Sequence, residues 1–333
     1  MQPPAFWFAP RNHFTLASRM LAPLSWIWAS ATRRRIEGEA PVKLSVPVIC
    51  VGNLTLGGAG KTPTVIALLQ ELSARGHNVH AISRGHGGSL QGPVRVDPER
   101  HSADKVGDEP LLLAMFAPVW VGRDRVAAGR AAVADGADVI VMDDGFQNPA
   151  LHKDISLVVV DAGVGFGNGR VAPAGPLREP VVSGLARGDL LLVIGGADDQ
   201  ARFHADWPEA QALPAISASL RPLEMGMAWH GLRAFAFAGI ARPEKFFASL
   251  KAEGAELVAT RAFDDHAQFD QRILARIQSE ANALGARLVT TEKDAVRLPP
   301  SFRRDVLAFP VRLKLHSWQP LNAMLDRYGL GNA

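Results

Sequence analysis

Val48-Ile49-Cys50-Val51-Gly52-Asn53-Leu54-Thr55-Leu56-Gly57-Gly58-Ala59-Gly60-Lys61-Thr62-Pro63 is an apolar run that ends in a Gly-rich turn, a Lys-Thr pair and a helix-like segment. It reads as a phosphate-binding loop. Glycines without side chains let successive backbone N–H groups close on phosphate oxygens, and the helix that follows adds its positive end. In that reading Lys61 bridges the β- and γ-phosphates and the Thr62 hydroxyl ligates Mg²⁺. The strict pattern G-x-x-x-x-G-K-[ST] wants Gly at position 55, where this chain has Thr55. The loop residues Thr55, Gly57, Gly58, Ala59, Gly60, Lys61 and Thr62 are therefore the candidates for binding ATP.

Outward from the loop, short apolar strands alternate with helices. Pro63 to Arg75 reads as a helix and Val79 to Ser83 as a strand; Pro110 to Ala117 and Val126 to Asp135 are helical. Val119 to Val121, Val139 to Met142, Leu157 to Asp161 and Leu190 to Ile194 are of strand length. This α/β pattern predicts a P-loop NTPase-type parallel sheet with helices on both faces, with ligands outside the carboxyl ends of the strands. Asp143-Asp144 follows one such strand, where a Walker B carboxylate belongs, and spacing alone does not choose which of the two holds Mg²⁺.

Arg202 to Met227 has no clean periodicity. A strand at Ala234 to Ala238, helices at Glu244 to Gly254 and Gln271 to Leu284, and a strand at Arg287 to Thr290 then read as a smaller α/β unit. The predicted organisation is an N-terminal helix (1–35), a nucleotide-binding domain (36–224), a smaller C-terminal α/β domain (225–309) and a final segment (310–333) that returns to the nucleotide domain.

With 333 residues and 47% hydrophobic content the chain can bury a large core, and a formal charge of +3 argues against a dedicated nucleic-acid binder. Its single cysteine, Cys50, sits in the apolar strand as a small hydrophobe, so no disulfide framework exists. Phe14 to Ala31 is rich in Leu, Met and Trp and is followed by Arg33-Arg34-Arg35. Arg19 and Pro23 interrupt it, and the clean run is shorter than the roughly 20 residues a crossing needs, so it reads as an interfacial, membrane-contacting helix.

Further blocks follow the loop in order: Ser83-Arg84-Gly85-His86-Gly87, Val106-Gly107-Asp108-Glu109-Pro110, Asp143-Asp144-Gly145-Phe146-Gln147, Pro173-Ala174-Gly175-Pro176-Leu177-Arg178-Glu179-Pro180 and Thr291-Glu292-Lys293-Asp294. Together they resemble the tetraacyldisaccharide 4'-kinase family of lipid A biosynthesis, in which Thr55 is normal. The resemblance implies transfer of the γ-phosphate of ATP to the 4'-hydroxyl of an acylated disaccharide 1-phosphate lipid, giving lipid IVA, at the cytoplasmic face of the inner membrane. It implies phosphate and Mg²⁺ contacts at Lys61 and Thr62, an acidic pair at Asp143 and Asp144, a carboxylate at Asp108 that activates the sugar hydroxyl, and a partner histidine at His266.

A carboxylate within hydrogen-bond reach can take the proton of a sugar hydroxyl, and an imidazole can orient that carboxylate. Arg125, Gln147, Arg178 and Glu179 are candidates for lining the nucleotide site. Asp108 before Pro110 also suits a helix cap. Ala267 and Asn148 stand where the family usually has further histidines, which weakens any mechanism that needs a histidine pair. The rival class is a membrane-associated P-loop switch or partner-loading ATPase, which would hydrolyse ATP without a lipid acceptor.

Overall fold

β1 (Val48–Gly52) is buried at every position because it lies between two parallel neighbours, β5 (Val139–Asp143) and β6 (Ile155–Asp161). A strand covered on both faces has no polar side to present, which explains its unbroken apolar sequence. The computed structural model describes residues 3–331 apart from 12, 14, 39, 225, 227 and 266, so His266 lies outside the described residues.

Around β1 the chain adds β2 (Val79–Ser83), β3 (Val94–Arg95), β4 (Val119–Val121), β7 (Leu190–Ile194), β8 (Ala215–Pro222) and, much later, β13 (Val311–Leu315). The resulting nine-stranded sheet runs β13-β8-β7-β6-β1-β5-β2-β4-β3. It is parallel except at its two edges, where β3 and β13 are antiparallel to their neighbours.

Helix Lys61–Ala74 covers one face through Val65, Leu68, Leu69 and Leu72, while Phe146, Phe166, Phe203 and Trp207 pack on the other. Cys50 is fully buried on that second side, and burial pushes its thiol up to about 12. The region after Arg202, which lacks periodicity, completes helix Ala197–Asp206, makes a 3-10 turn over Pro208–Ala212 and then forms β8. The strand is masked in the sequence because only Ile216 and Ala218 of its eight residues are buried.

The second sheet is a separate layer of four parallel strands in the order β10-β9-β11-β12. These are β9 (Arg233–Ala238), β10 (Glu256–Ala262), β11 (Arg287–Thr291) and β12 (Val306–Phe309). The side chains of β9 divide by period two: Ala234, Ala236 and Ala238 face Phe246 and Leu250 of helix Pro243–Ala252, and Phe235 and Phe237 face Leu274 and Ile277 of helix Gln271–Ala283. After β12 the chain re-enters the large sheet as β13, paired with β8 from Val311↔Pro222 to Leu315↔Ala218.

The N-terminal helix, Leu16–Glu37, carries Pro23 in its interior and is inverted in character. Its buried residues are Ser18, Ser25 and Thr32, whereas Leu16, Met20, Leu24, Trp26, Ile27 and Trp28 are exposed, Trp26 at 83%. Ser25 Oγ accepts a hydrogen bond from the Ala174 amide at 3.0 Å, so the helix is attached through its small polar stripe. Among the described residues no helix is long and apolar enough to cross a membrane.

Gly52 closes β1 where the Asp143–Phe146 turn passes, and a Cβ built there would lie 2.4 Å from Phe146 Cβ. Gly52→Ala is therefore expected to destabilise the chain by about 1–3 kcal/mol through overpacking, measured as a lowered urea midpoint at unchanged slope.

Candidate functional site

Gly60 precedes helix Lys61–Ala74 with φ 93°, and a Cβ there would stand 2.6 Å from Ile194 Cδ1, so both backbone shape and space require glycine. The helix starts two residues before Pro63 because that glycine is its cap. Lys61 is its first residue and Thr62 its second; Ala59 is buried, and Gly57 and Gly58 are exposed.

Buried Asn53 organises the turn, its Nδ2 donating to Thr55 Oγ1 at 3.1 Å and to Gly57 O at 3.2 Å. Its Oδ1 receives Lys61 Nζ at 3.3 Å. The segment 176–178 runs alongside: Leu56 N donates to Pro176 O, Arg178 N to Leu54 O, and Arg178 Nε to Thr55 O.

The register Val51↔Asp143 brings the acidic turn next to the loop. Asp144 adopts φ 49°, an αL geometry that Asp tolerates better than most residues. Arg178 grips its carboxylate with both terminal nitrogens, at 2.9 and 3.1 Å, and Lys61 Nζ lies 3.7 Å from Oδ1. Burial raises the Asp144 pKa, but Lys61 and Arg178 outweigh it and hold the group below the usual carboxylate range.

Asp143 behaves oppositely. Burial, then Glu109 and Asp144, push it up to about 7 against the pull of Lys61 and a hydrogen bond from Ser83 Oγ. Its Oδ1 is buried without a hydrogen-bond partner, an orphaned acceptor that fits a missing ligand. A buried carboxylate oxygen beside a second carboxylate is the kind of oxygen donor that Mg²⁺ takes. Among the described residues no group of three His, Cys, Asp or Glu side chains is arranged to hold an ion alone. That also suits Mg²⁺, which binds through one or two carboxylates together with substrate phosphates.

Gln147 Nε2 donates to Asn53 O at 2.9 Å and to Glu179 Oε1 at 3.0 Å, and its Oε1 accepts from Arg178. Glu179 in turn holds Arg187. Arg125 is buried as the first residue of helix Arg125–Ala134; its Nη1 donates to Gly122 O at 2.6 Å and its Nε has no partner. Burial lowers its pKa, and the negative charge of Asp143 and Asp144 counteracts this.

Asp108, 5% exposed, is the first residue of helix Asp108–Leu113 rather than its cap, which is Gly107. Its Oδ1 accepts from the Glu109 amide at 2.9 Å, and Oδ2 faces Arg297 Nε at 3.8 Å and Lys293 Nζ at 3.9 Å. Lys293 also lies 3.3 Å from Glu109 and 3.9 Å from Asp265, the residue before His266.

A second contact between the sheets lies beyond the loop, where Asp161 at the end of β6 receives Arg242 at 2.9 Å and Lys245 at 2.6 Å. The phosphate-loop candidates and the acidic pair are thus assembled at one sheet edge, with Glu109 near enough to influence Asp143. Sequence reasoning gave no role to Asn53, Ser83, Lys293 or Arg297. The signal was present in the Ser83 and Thr291–Asp294 blocks, but not what those residues touch.

The family model described as tetraacyldisaccharide-1-P 4'-kinase matches residues 17–329. A curated tetraacyldisaccharide 4'-kinase of Dinoroseobacter shibae is 58% identical over 327 residues, covering 98% of this chain and 97% of that protein. One from Jannaschia sp. is 51% identical, with 98% and 99% covered. In fold, the chain is similar to the crystal structure of LpxK from Aquifex aeolicus in complex with ATP, with TM-score 0.74 at 24% identity over 94% of this chain and 99% of that one.

With its folded-state pKa raised to about 7, Asp143 keeps its proton in the folded chain after an unfolded Asp has lost it. Its contribution to stability is full below about pH 4 and is lost as pH rises through 7. In metal-free buffer, Asp143→Asn should therefore gain thermal stability relative to the parent as pH rises from about 5 to 8. Parallel melting-temperature curves for the two proteins would refute the assignment.

Proposed function

The chain belongs to the tetraacyldisaccharide 4'-kinase family of lipid A biosynthesis, and from that premise we propose how its residues divide the transfer of the ATP γ-phosphate to the 4'-hydroxyl of a tetraacylated disaccharide 1-phosphate. The observation that carries the division is convergence at one edge: the ends of β1 and β5 adjoin the Asp108–Glu109 turn closely enough for Glu109 to raise the Asp143 pKa.

The backbone amides of Gly57 to Thr62 receive the phosphates, with Thr55 and Ala59 shaping the turn. Lys61 exchanges Asn53 and Asp144 for phosphate oxygens. Mg²⁺, held by Thr62, Asp143 and Asp144, would neutralise charge on the phosphates when bound. Arg125 and Arg178 add fixed positive charge beside the acidic pair, and Gln147 and Glu179 hold Arg178 and the loop in register. Asp108 accepts the 4'-hydroxyl proton as the new oxygen–phosphorus bond forms and the bond to the ADP leaving group breaks. His266 is assigned to orient Asp108 on the family resemblance alone.

Residues 36–224 with 310–333 act in this proposal as the nucleotide-side lobe, and 225–309 as the lobe that faces the substrate. The separate four-stranded sheet and the pairing of β13 with β8 support that division. The helix Leu16–Glu37 serves as a peripheral contact with the cytoplasmic face of the inner membrane, where the acyl chains of the substrate reside. Its outward Leu, Ile and Trp side chains and the Arg33–Arg35 run support this role. Nucleic acid has no part in the reading.

Two outcomes are expected. With γ-labelled ATP and detergent-dispersed lipid acceptor, the intact chain should label the lipid and Asp108→Ala should lose about 10²- to 10⁴-fold in turnover. A chain that hydrolyses ATP without the acceptor, and keeps that activity as Asp108→Ala, would instead be a switch ATPase. Replacing Trp26 and Ile27 by Ser should reduce co-flotation with anionic vesicles without lowering the urea midpoint, because both side chains are exposed; undiminished flotation would remove the helix from the membrane contact.

A further inference from the structure

Arg297 follows β11 by six residues, yet its guanidinium ends beside a carboxylate of the other sheet's lobe. Its side chain is 8% exposed. Nη2 donates to Gly239 O at 2.8 Å and pairs with Asp294, Nη1 donates to Ala267 O at 3.2 Å, and Cζ lies 5.3 Å from the ring centroid of Phe269.

Asp294 is itself fixed, fully buried and accepting from the Gly239 amide and from Thr291 Oγ1. Every contact that anchors the guanidinium therefore belongs to the small sheet and its loops. Two N–H groups are left over, and of these Nε–H is buried without an acceptor, its nitrogen 3.8 Å from Asp108 Oδ2. A buried guanidinium N–H lacking a partner has a strong drive to find one, and an approach of about 1 Å would complete a charge-assisted bond.

We propose that Arg297 is a further positioning residue for Asp108, beside the role given to His266, fixing the direction of the carboxylate and keeping it ionised for proton acceptance from the docked small-sheet lobe. The proposal rests on the reading of Asp108 as the proton acceptor and adds the device that makes it competent.

Several charges surround Asp108. Glu109 shares its helix, the turn before it carries Asp104 and Lys105, Asp265 lies on the loop after β10, and Lys293 and Arg297 come from the segment after β11. Carboxylates at this density oppose ionisation, so a cation is needed to offset them. Lys293 supplies charge but divides it among Asp108, Glu109 and Asp265 on a flexible stem. Arg297 is held in one geometry by its anchors and supplies direction. Because those anchors all lie on the small-sheet side, the base is oriented only while that lobe is docked, and an undocked enzyme has a less competent base.

The test compares the pH dependence of kcat for the full chain, Arg297→Gln, Arg297→Lys and Asp108→Asn, with detergent-dispersed tetraacylated disaccharide 1-phosphate as acceptor. Arg297→Gln should lower kcat about 10- to 100-fold with KM for ATP within about two-fold. Its acid limb should move up by about one pH unit, as expected when a facing cation is removed from a carboxylate. Arg297→Lys should return the acid limb toward the parent while recovering little of kcat.

An acid limb that stays in place in Arg297→Gln, or a loss confined to KM for ATP, overturns the proposal while Asp108→Asn is inactive. An active Asp108→Asn overturns the underlying reading as well. If Arg297→Gln does not fold, Lys293→Gln provides the second measurement. It should shift the acid limb in the same direction by a smaller amount, with kcat at the plateau nearly retained, and no shift counts against the proposal.

Discussion

A lysine side chain about nine-tenths buried, Lys61, sets the terms for the rest of the site. Such a charge is tolerated only with partners, and Asn53 and Asp144 supply them. Asp144 in turn requires Arg178, which binds Gln147; Gln147 reaches Glu179, and Glu179 holds Arg187. The chain of compensation crosses from the phosphate loop through the β5 turn to the 173–180 segment. One consequence is that two adjacent carboxyls separate electrostatically: Asp144 is held ionised by two cations, while Asp143 is raised to about 7 with one oxygen unused.

The same reasoning extends to the small sheet, whose carboxyl edge meets the large one on both flanks of the phosphate loop. On one flank Asp161 receives Arg242 and Lys245, and on the other Lys293 and Arg297 approach the Asp108–Glu109 turn. Ala241 lies between them, with its Cβ 3.9 Å from where a Gly58 Cβ would be. The contacts at both flanks are between opposite charges.

Much of this was legible in the sequence wherever the physics is local. The strand, the glycine turn, the lysine and the helix start lie in one contiguous stretch, so the elements from β1 to Thr62 could be placed directly, as could the turn at Asp143–Asp144 after its buried strand. The strands at the far edge were not legible, because β8 and β13 are half solvated and antiparallel, with polar residues between the few buried ones. Nor was the attachment of the N-terminal helix, where three small polar residues face inward and the conspicuous tryptophans face out. Lys293 and Arg297 were hidden for another reason. The Lys293–Glu109 contact spans 184 positions, and no periodicity reports a side-chain pair formed across two sheets.

Cys50 carries a consequence of a different kind. It is the chain's one thiol, fully buried in the central strand beneath the phosphate loop and held protonated well above neutral pH. Thiol reagents need both access and thiolate, and the folded molecule offers neither there. The native protein is therefore silent toward thiol-directed reagents, and any surface position changed to cysteine becomes a uniquely addressable thiol label. Slow modification of Cys50 itself becomes a clock for opening of the central sheet, read in the unmodified sequence with no added probe.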